Sequence, residues 1–351
     1  MKKREPFVWA YFLLVSCAEP SATTPRDTPV LQTLKITDAG AAIVDAGDVM
    51  DSSLADASVS LAPEPKIGRA EAIDLLFTSM KDGVTPPPCE EDDAVKCLLD
   101  ARYAKDDAAH AMAVSLFERT GSVAGVDREH VMDGGYRGML HLVPVLPMGD
   151  NKVHLQHMSF ALTGFDAFFQ KLESRANSRV KYRWRNLELR FFRSVKARTP
   201  SAYASGWTIA YNVDGSLNKS DLAVRETMFH EIFHLNDADH GAHGDDWSEH
   251  ALAPTYDSIV AKCKASTPCL SKYAPNDTMV RGGTYYAFQP GNDVREYAAE
   301  LSVRYFKEQS AVLAGNAPQK PFKCTGSENA KSWSAMVTEF FSDIDLTPAC
   351  P

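Results

Sequence analysis

Between Ser220 and Asn236 the chain carries His230-Glu231-Ile232-Phe233-His234 inside a run that is apolar on nearly every side. No other stretch narrows the possible folds so far. Histidines four positions apart lie one turn apart on the same helix face, so their ring nitrogens can meet at one point. Val224, Met228, Ile232 and Leu235 form one apolar stripe, and Phe229 and Phe233 add a second. A helix that is apolar all round has to be buried, and buried imidazoles need partners. One solution is a pair of core histidines satisfied by ordinary hydrogen bonds. The other is a shared metal ion. Two imidazole nitrogens suit tetrahedral Zn²⁺, and Glu231, one position on, reaches a water at such a metal without ligating it. Ser220 is placed to cap this helix, expected over Asp221 to about Asn236.

A protein-held zinc needs a third donor, and two candidates stay open. Glu296 and Glu300 sit one turn apart in an amphipathic stretch, Val294 to Phe306. Like charges at that spacing disfavour an isolated helix. They make sense if Glu296 binds the cation and Glu300 orients a ligand histidine from behind. The alternative is His240, since His230-Glu231-x-x-His234-x-x-Asp237-x-x-His240 nearly fits the metzincin peptidase pattern. There a glycine stands where this chain has Asp237, which turns back less readily.

Taken together, His230-Glu231-Ile232-Phe233-His234 and Glu296-Tyr297-Ala298-Ala299-Glu300 resemble the gluzincin metallopeptidases, most of all the anthrax lethal-factor type of catalytic domain. The likeness covers roughly Trp207 to Phe306. It implies His230, His234 and Glu296 as zinc ligands, Glu231 as general base and Glu300 behind the ligands. It also implies a tyrosine that stabilises the oxyanion. Tyr285 and Tyr286 are the candidates, although they precede Glu296 by more residues than in that family. A strand before the helix would bind extended substrate along its edge, and Ser205 to Tyr211 is expected there. The implied fold is α+β and zincin-like, mostly helical with a small mixed sheet. The implied activity is that of a zinc metalloendopeptidase acting on peptide or protein. Two alternatives stay open: a non-catalytic envelope lipoprotein that uses the same scaffold for binding or structure, and hydrolysis of a non-peptide amide.

The rest of the chain points to export. Met1-Lys2-Lys3-Arg4 and the short apolar run Phe7 to Val15 read as a signal peptide over residues 1–16. Leu14-Val15-Ser16-Cys17 resembles the lipobox of bacterial lipoproteins, which implies lipidation at Cys17 and a membrane anchor. The residue after the cysteine is not Asp, which by the same resemblance points to the outer membrane. Residues 17–66 are rich in Ala, Asp, Ser, Thr and Pro and hold no aromatic residue, as in a disordered tether. The folded part is expected over 67–351, with a helical and sheet part at 67–200 and the zinc-binding part at 201–351. A net charge of −9 argues against nucleic acid as a partner, and no apolar run is long enough for a transmembrane helix. Apart from Cys17 there are Cys89, Cys97, Cys263, Cys269, Cys324 and Cys350, an even set that suits disulfides in an oxidising compartment. Close spacing favours Cys89–Cys97 and Cys263–Cys269, leaving Cys324–Cys350.

Coarser signals place helices over Ala70 to Met80, Ala94 to Glu118 and Phe160 to Leu172, and a strand over Met139 to Leu146. Val180 to Arg185 alternates apolar and basic, as a half-exposed strand would, with a helix from Asn186 as an equal option. Ala204 to Asn212 reads as one strand. The basic stretch Arg179 to Arg198 reads mainly as a solvated face, and His243, Asp245, Asp246 and His250 as a polar loop.

Overall fold

A computed structural model describes residues 65–78, 82–90, 92–134, 138–280 and 282–351. The expected signal peptide, Cys17 and nearly all of the expected tether lie outside the described residues. What is described is α+β and mostly helical. The helices are α1 (Arg69–Ile73), α2 (Ala94–Tyr103), α3 (Asp107–Thr120), α4 (Val153–Ala176), α5 (Asp221–Asp239), α6 (Trp247–Ala251), α7 (Ala253–Cys263), α8 (Thr267–Leu270), α9 (Val294–Leu313) and α10 (Ser327–Phe341). The strands are β1 (Val123–Val126), β2 (His130–Asp133), β3 (Met139–Pro144), β4 (Glu188–Ser194), β5 (Ala202–Ser205) and β6 (Thr208–Asn212).

All six strands form one mixed sheet in the order β2-β3-β4-β6-β5. On the side of β4 away from β6, β1 runs parallel along its first half and β3 antiparallel along its second. The expected single strand over Ala204 to Asn212 is instead a hairpin. Gly206 and Trp207 both adopt positive φ, 54° and 60°, the conformation of a two-residue turn whose twist matches paired strands. The Arg183 guanidinium lies 3.7 Å from the centre of the Trp207 ring and covers that exposed turn. β6 is therefore paired on both sides, and β5 is the terminal strand.

The helix expected over Ala94 to Glu118 is broken at Asp106. Its carboxylate accepts from Ala109 N at 3.1 Å and from Gly149 N at 2.7 Å, so it starts α3 and ties it to a distant turn. Val180 and Tyr182 are buried, as the alternation suggested, but the segment is neither strand nor helix. Helices supply its backbone partners: Lys181 N donates to Phe340 O, and Asn236 Oδ1 accepts from Arg183 N. Two side chains of the basic stretch pair with carboxylates, Arg190 largely buried and Arg185 exposed. Arg190 meets Asp74 at 2.9 Å and Glu188 at 2.7 Å, and Arg185 meets Asp166 at 2.7 Å.

Helix α5 sits between α4 and α9 with β5 against it, and every residue from Thr227 to Asp237 is buried. The packing is largely aromatic. Phe229 stacks on Phe306 of α9 with ring centres 4.7 Å apart and on Tyr182 at 5.2 Å. The Tyr182 hydroxyl donates to Phe229 O at 3.1 Å. Ser220 caps the helix, its hydroxyl accepting from Ala223 N at 3.3 Å. Ser220→Ala is expected to cost about 1 kcal/mol in urea unfolding, through loss of that cap alone. Three disulfides join Cys89 to Cys97, Cys263 to Cys269 and Cys324 to Cys350, the pairing that close spacing favours. No helix among the described residues is long and apolar enough to cross a membrane.

Candidate metal centre

The histidines of α5 point toward the first turn and a half of α9, where Asp293 caps the helix by accepting from Arg295 N. His230 Nε2 lies 3.1 Å from His234 Nε2 and 3.1 Å from Glu296 Oε2, and the third side of this triangle is 3.8 Å. Two donors of a tetrahedral zinc, each about 2.0–2.1 Å from the metal, stand roughly 3.3 Å apart. The three atoms therefore have the spacing of three ligands around one divalent cation. They are the one group of three or more His, Cys, Asp or Glu donors converging in this way among the described residues.

Electrostatics favour a cation at the same place. Glu231, Glu296 and Glu300 are all buried, and all three act electrostatically on His230. Buried carboxylates demand compensating charge. Burial works against a charged His230, yet the neighbouring Glu296 and Glu300 outweigh it and lift its pKa to about 10. His230 is thus driven to act as the missing cation. Burial lowers His234 despite the Glu296 carboxylate. Although burial opposes it, the two imidazoles hold Glu296 well below the usual carboxylate range.

Glu231 is 1% exposed, and its Oε2 has no hydrogen-bond partner. Burial pushes its carboxyl up to about 8 against the pull of His230, with the Glu296 charge adding to the rise. A buried carboxylate oxygen without a partner is uncommon, and a catalytic role or a bound water or ion accounts for one. Behind the ring of His230, its Nδ1 lies 3.4 Å from Glu300 Oε1. Tyr286 is 1% exposed, and its hydroxyl donates to Glu296 Oε2 at 2.8 Å. Burial first, then the Glu296 charge, raises that phenol well above its ordinary value. The structure thus brings Tyr286 to the triad despite the long spacing. Tyr285 lies outside it, half-buried and bridged to Met279.

His240 goes elsewhere. It ends α5, and its Nδ1 lies 2.7 Å from Glu339 of α10. Asp237, at the position of the metzincin glycine, stays helical and accepts from Ser248 N and Ser248 Oγ at 2.7 and 2.6 Å. The chain cannot swing back there because Asp237 is buried and anchors the start of α6. His250, in α6, lies 3.5 Å from Asp245 of the preceding loop, both side chains exposed. Asp246 does reach the centre electrostatically: its charge acts on His234, and Arg295 sits 3.7 Å away from it. Asp246 also caps α6 in a reciprocal pair with Glu249.

Two features had no signal in the sequence. One is Asn276, whose amide holds Glu300. The other is a cavity of about 130 Å³ beside the triad, walled by α5, α9 and the segment before α9, with Thr227, His230, Thr278, Tyr286 and Val303 among its lining residues. Glu226 and Lys307, 2.7 Å apart, also line it. Comparison with known protein families, with curated proteins and with solved structures finds no match.

Proposed function

We propose that this chain is a zinc-dependent peptidase of the bacterial cell envelope, with a zincin-like fold around the centre formed by His230, His234 and Glu296. The observation that carries this reading is the combination of a three-donor triangle of zinc dimensions with a buried carboxylate on the same helix, Glu231, whose Oε2 has no hydrogen-bond partner. A structural metal site has no use for such a group. Zinc at this place would supply the Lewis acidity that amide hydrolysis needs at neutral pH.

The roles of the side chains follow from their positions. Glu231 takes a proton from water and passes it to the leaving amine, a task suited to a carboxyl whose pKa is raised toward neutrality. Tyr286, hydrogen-bonded to the ligand carboxylate, is placed to donate to the oxyanion as it forms. Terminal strand β5, lying against α5, takes the place of Ser205 to Tyr211 as the edge that would pair with extended substrate. The adjoining cavity would receive a substrate side chain. Three disulfides suit an oxidising compartment such as the envelope.

Two measurements test the reading. Metal analysis of the purified chain is expected to give one zinc per molecule, and a mixed peptide library is expected to be cut in a chelator-sensitive way. Zinc without any such cleavage would leave a binding or structural role instead. Tyr286→Phe is expected to lower kcat about 10²-fold while zinc content stays at one per chain. A Tyr286 that merely packs would leave kcat unchanged.

A further inference from the structure

We infer that Asn276 is a positioning residue of the metal centre: it fixes the Glu300 carboxylate behind His230 and so sets how tightly the centre holds its cation. This rests on the metal-centre reading of His230, His234 and Glu296, and adds a residue that neither helix motif contains.

Asn276 lies in the irregular segment between α8 and α9 and is buried. Its amide nitrogen donates to two acceptors on one residue, Glu300 O at 2.7 Å and Glu300 Oε2 at 3.0 Å. An amide carries two hydrogens, so both bonds form together. They lock the glutamate side chain against its own backbone. The other carboxylate oxygen, Oε1, then faces His230 Nδ1 at 3.4 Å, longer than a good hydrogen bond, and that nitrogen makes no hydrogen bond to any group. A carboxylate held there keeps the ring proton on Nδ1 and leaves the Nε2 lone pair for a cation. His230 Nε2 is one of the three converging donors.

The need for a clamp is visible in the cavity. Glu300 and Asn276 both line it, so an unclamped Glu300 has open space into which to swing away from His230. A glutamate has several rotamers to choose from, and fixing one costs entropy. The two bonds from Asn276 make that choice before the metal arrives. The same segment grips α9 a second time. Tyr286 N donates to Thr278 O at 2.8 Å, closing the segment on itself, and Tyr286 Oη holds Glu296. Successive turns of α9 are thus held by two ends of one loop, Glu296 by Tyr286 and Glu300 by Asn276. A purely structural role is the competing explanation, because Asn276 also satisfies a helix carbonyl. That role changes stability but not metal affinity.

The test is the zinc dissociation constant of the full-length chain, measured by competition with a chromophoric chelator. Asn276→Ala is compared with Asn276→Leu, which keeps the side-chain volume and serves if the alanine variant does not fold. Either is expected to weaken zinc binding about 10- to 100-fold. Combined with Glu300→Ala, the asparagine substitution should add less than about twofold, because Asn276 acts through Glu300. A folded variant that shows only a lower Tm with unchanged zinc affinity overturns the inference, as do effects that multiply independently. A wild-type chain that takes up no zinc overturns the metal-centre reading and this inference together. Stoichiometric zinc in the wild type with unchanged affinity in the variants overturns this inference alone.

Discussion

Glu231→Gln is expected to leave one zinc per chain in place while peptide hydrolysis falls about 10²–10⁴-fold, the usual contribution of a positioned general base. The two effects separate because Glu231 is not one of the three converging donors. Glutamine preserves size and polarity, so the buried pocket keeps its shape, but it cannot accept and return a proton. Substitution should also relieve strain in the fold, since a carboxyl with its pKa pushed to about 8 and an unpartnered oxygen is costly where it stands. The variant should therefore be at least as stable as the parent in thermal unfolding. A variant that retains activity within a few-fold of the parent would remove Glu231 from the chemistry.

His230→Ala is expected to have the opposite profile, losing both zinc and stability. It deletes one of the three donors and leaves Glu296 and Glu300 buried without their common partner. Removing one side of a buried ion pair costs roughly 3–5 kcal/mol, which unfolding in urea measures directly. In the parent chain, stripping the metal with chelator should expose a related dependence on pH. The His230 pKa is lifted from 6.5 to about 10 in the folded state. Its stabilising contribution is complete below about pH 6.5 and disappears as pH rises toward 10. Glu231, raised from 4.5 to about 8, acts in the same direction, because the folded state holds its proton after the unfolded chain has released it. The metal-free protein should accordingly become less stable as pH rises from about 4.5 to 10, through Glu231 up to about pH 8 and through His230 from about pH 6.5. With zinc present the cation replaces the imidazolium, and stability over that range should be flatter. Equal pH dependence with and without metal would mean that no cation couples to this cluster.

Local pattern carried much of this molecule. The spacing of His230 and His234 put both rings on one face, the apolar flanks made α5 a buried helix, and Ser220 marked its start. Close spacing favoured two short cysteine pairs but left the pairing open among fifteen sets, and the structure has the favoured one. Each of these depends on neighbours within a turn or two of helix, or on short loop closure, so the residue order holds the information. Errors gathered where local pattern was ambiguous. Ala204 to Asn212 reads as one strand until the positive φ of Gly206 and Trp207 folds it into a hairpin. Val180 to Arg185 has the burial of a strand but takes its backbone bonds from helices. In both cases distant partners, not propensity, chose the backbone.

The chain's own order thus determined which helix carries the histidine pair, that the two rings face together, and that Glu231 sits beside them. It left Glu296 and His240 in competition, gave no preference between Tyr285 and Tyr286, and offered no hint of Asn276. Only tertiary packing decided these. Stacking of Phe229 on Phe306 docks α9 against α5 and delivers Glu296 to the histidines across 66 residues of sequence. Burial of Asp237 against Ser248 keeps α5 helical and carries His240 away. A three-donor centre is a statement about distances between side chains on separate elements, and those distances exist only once the aromatic core has set the helices in place.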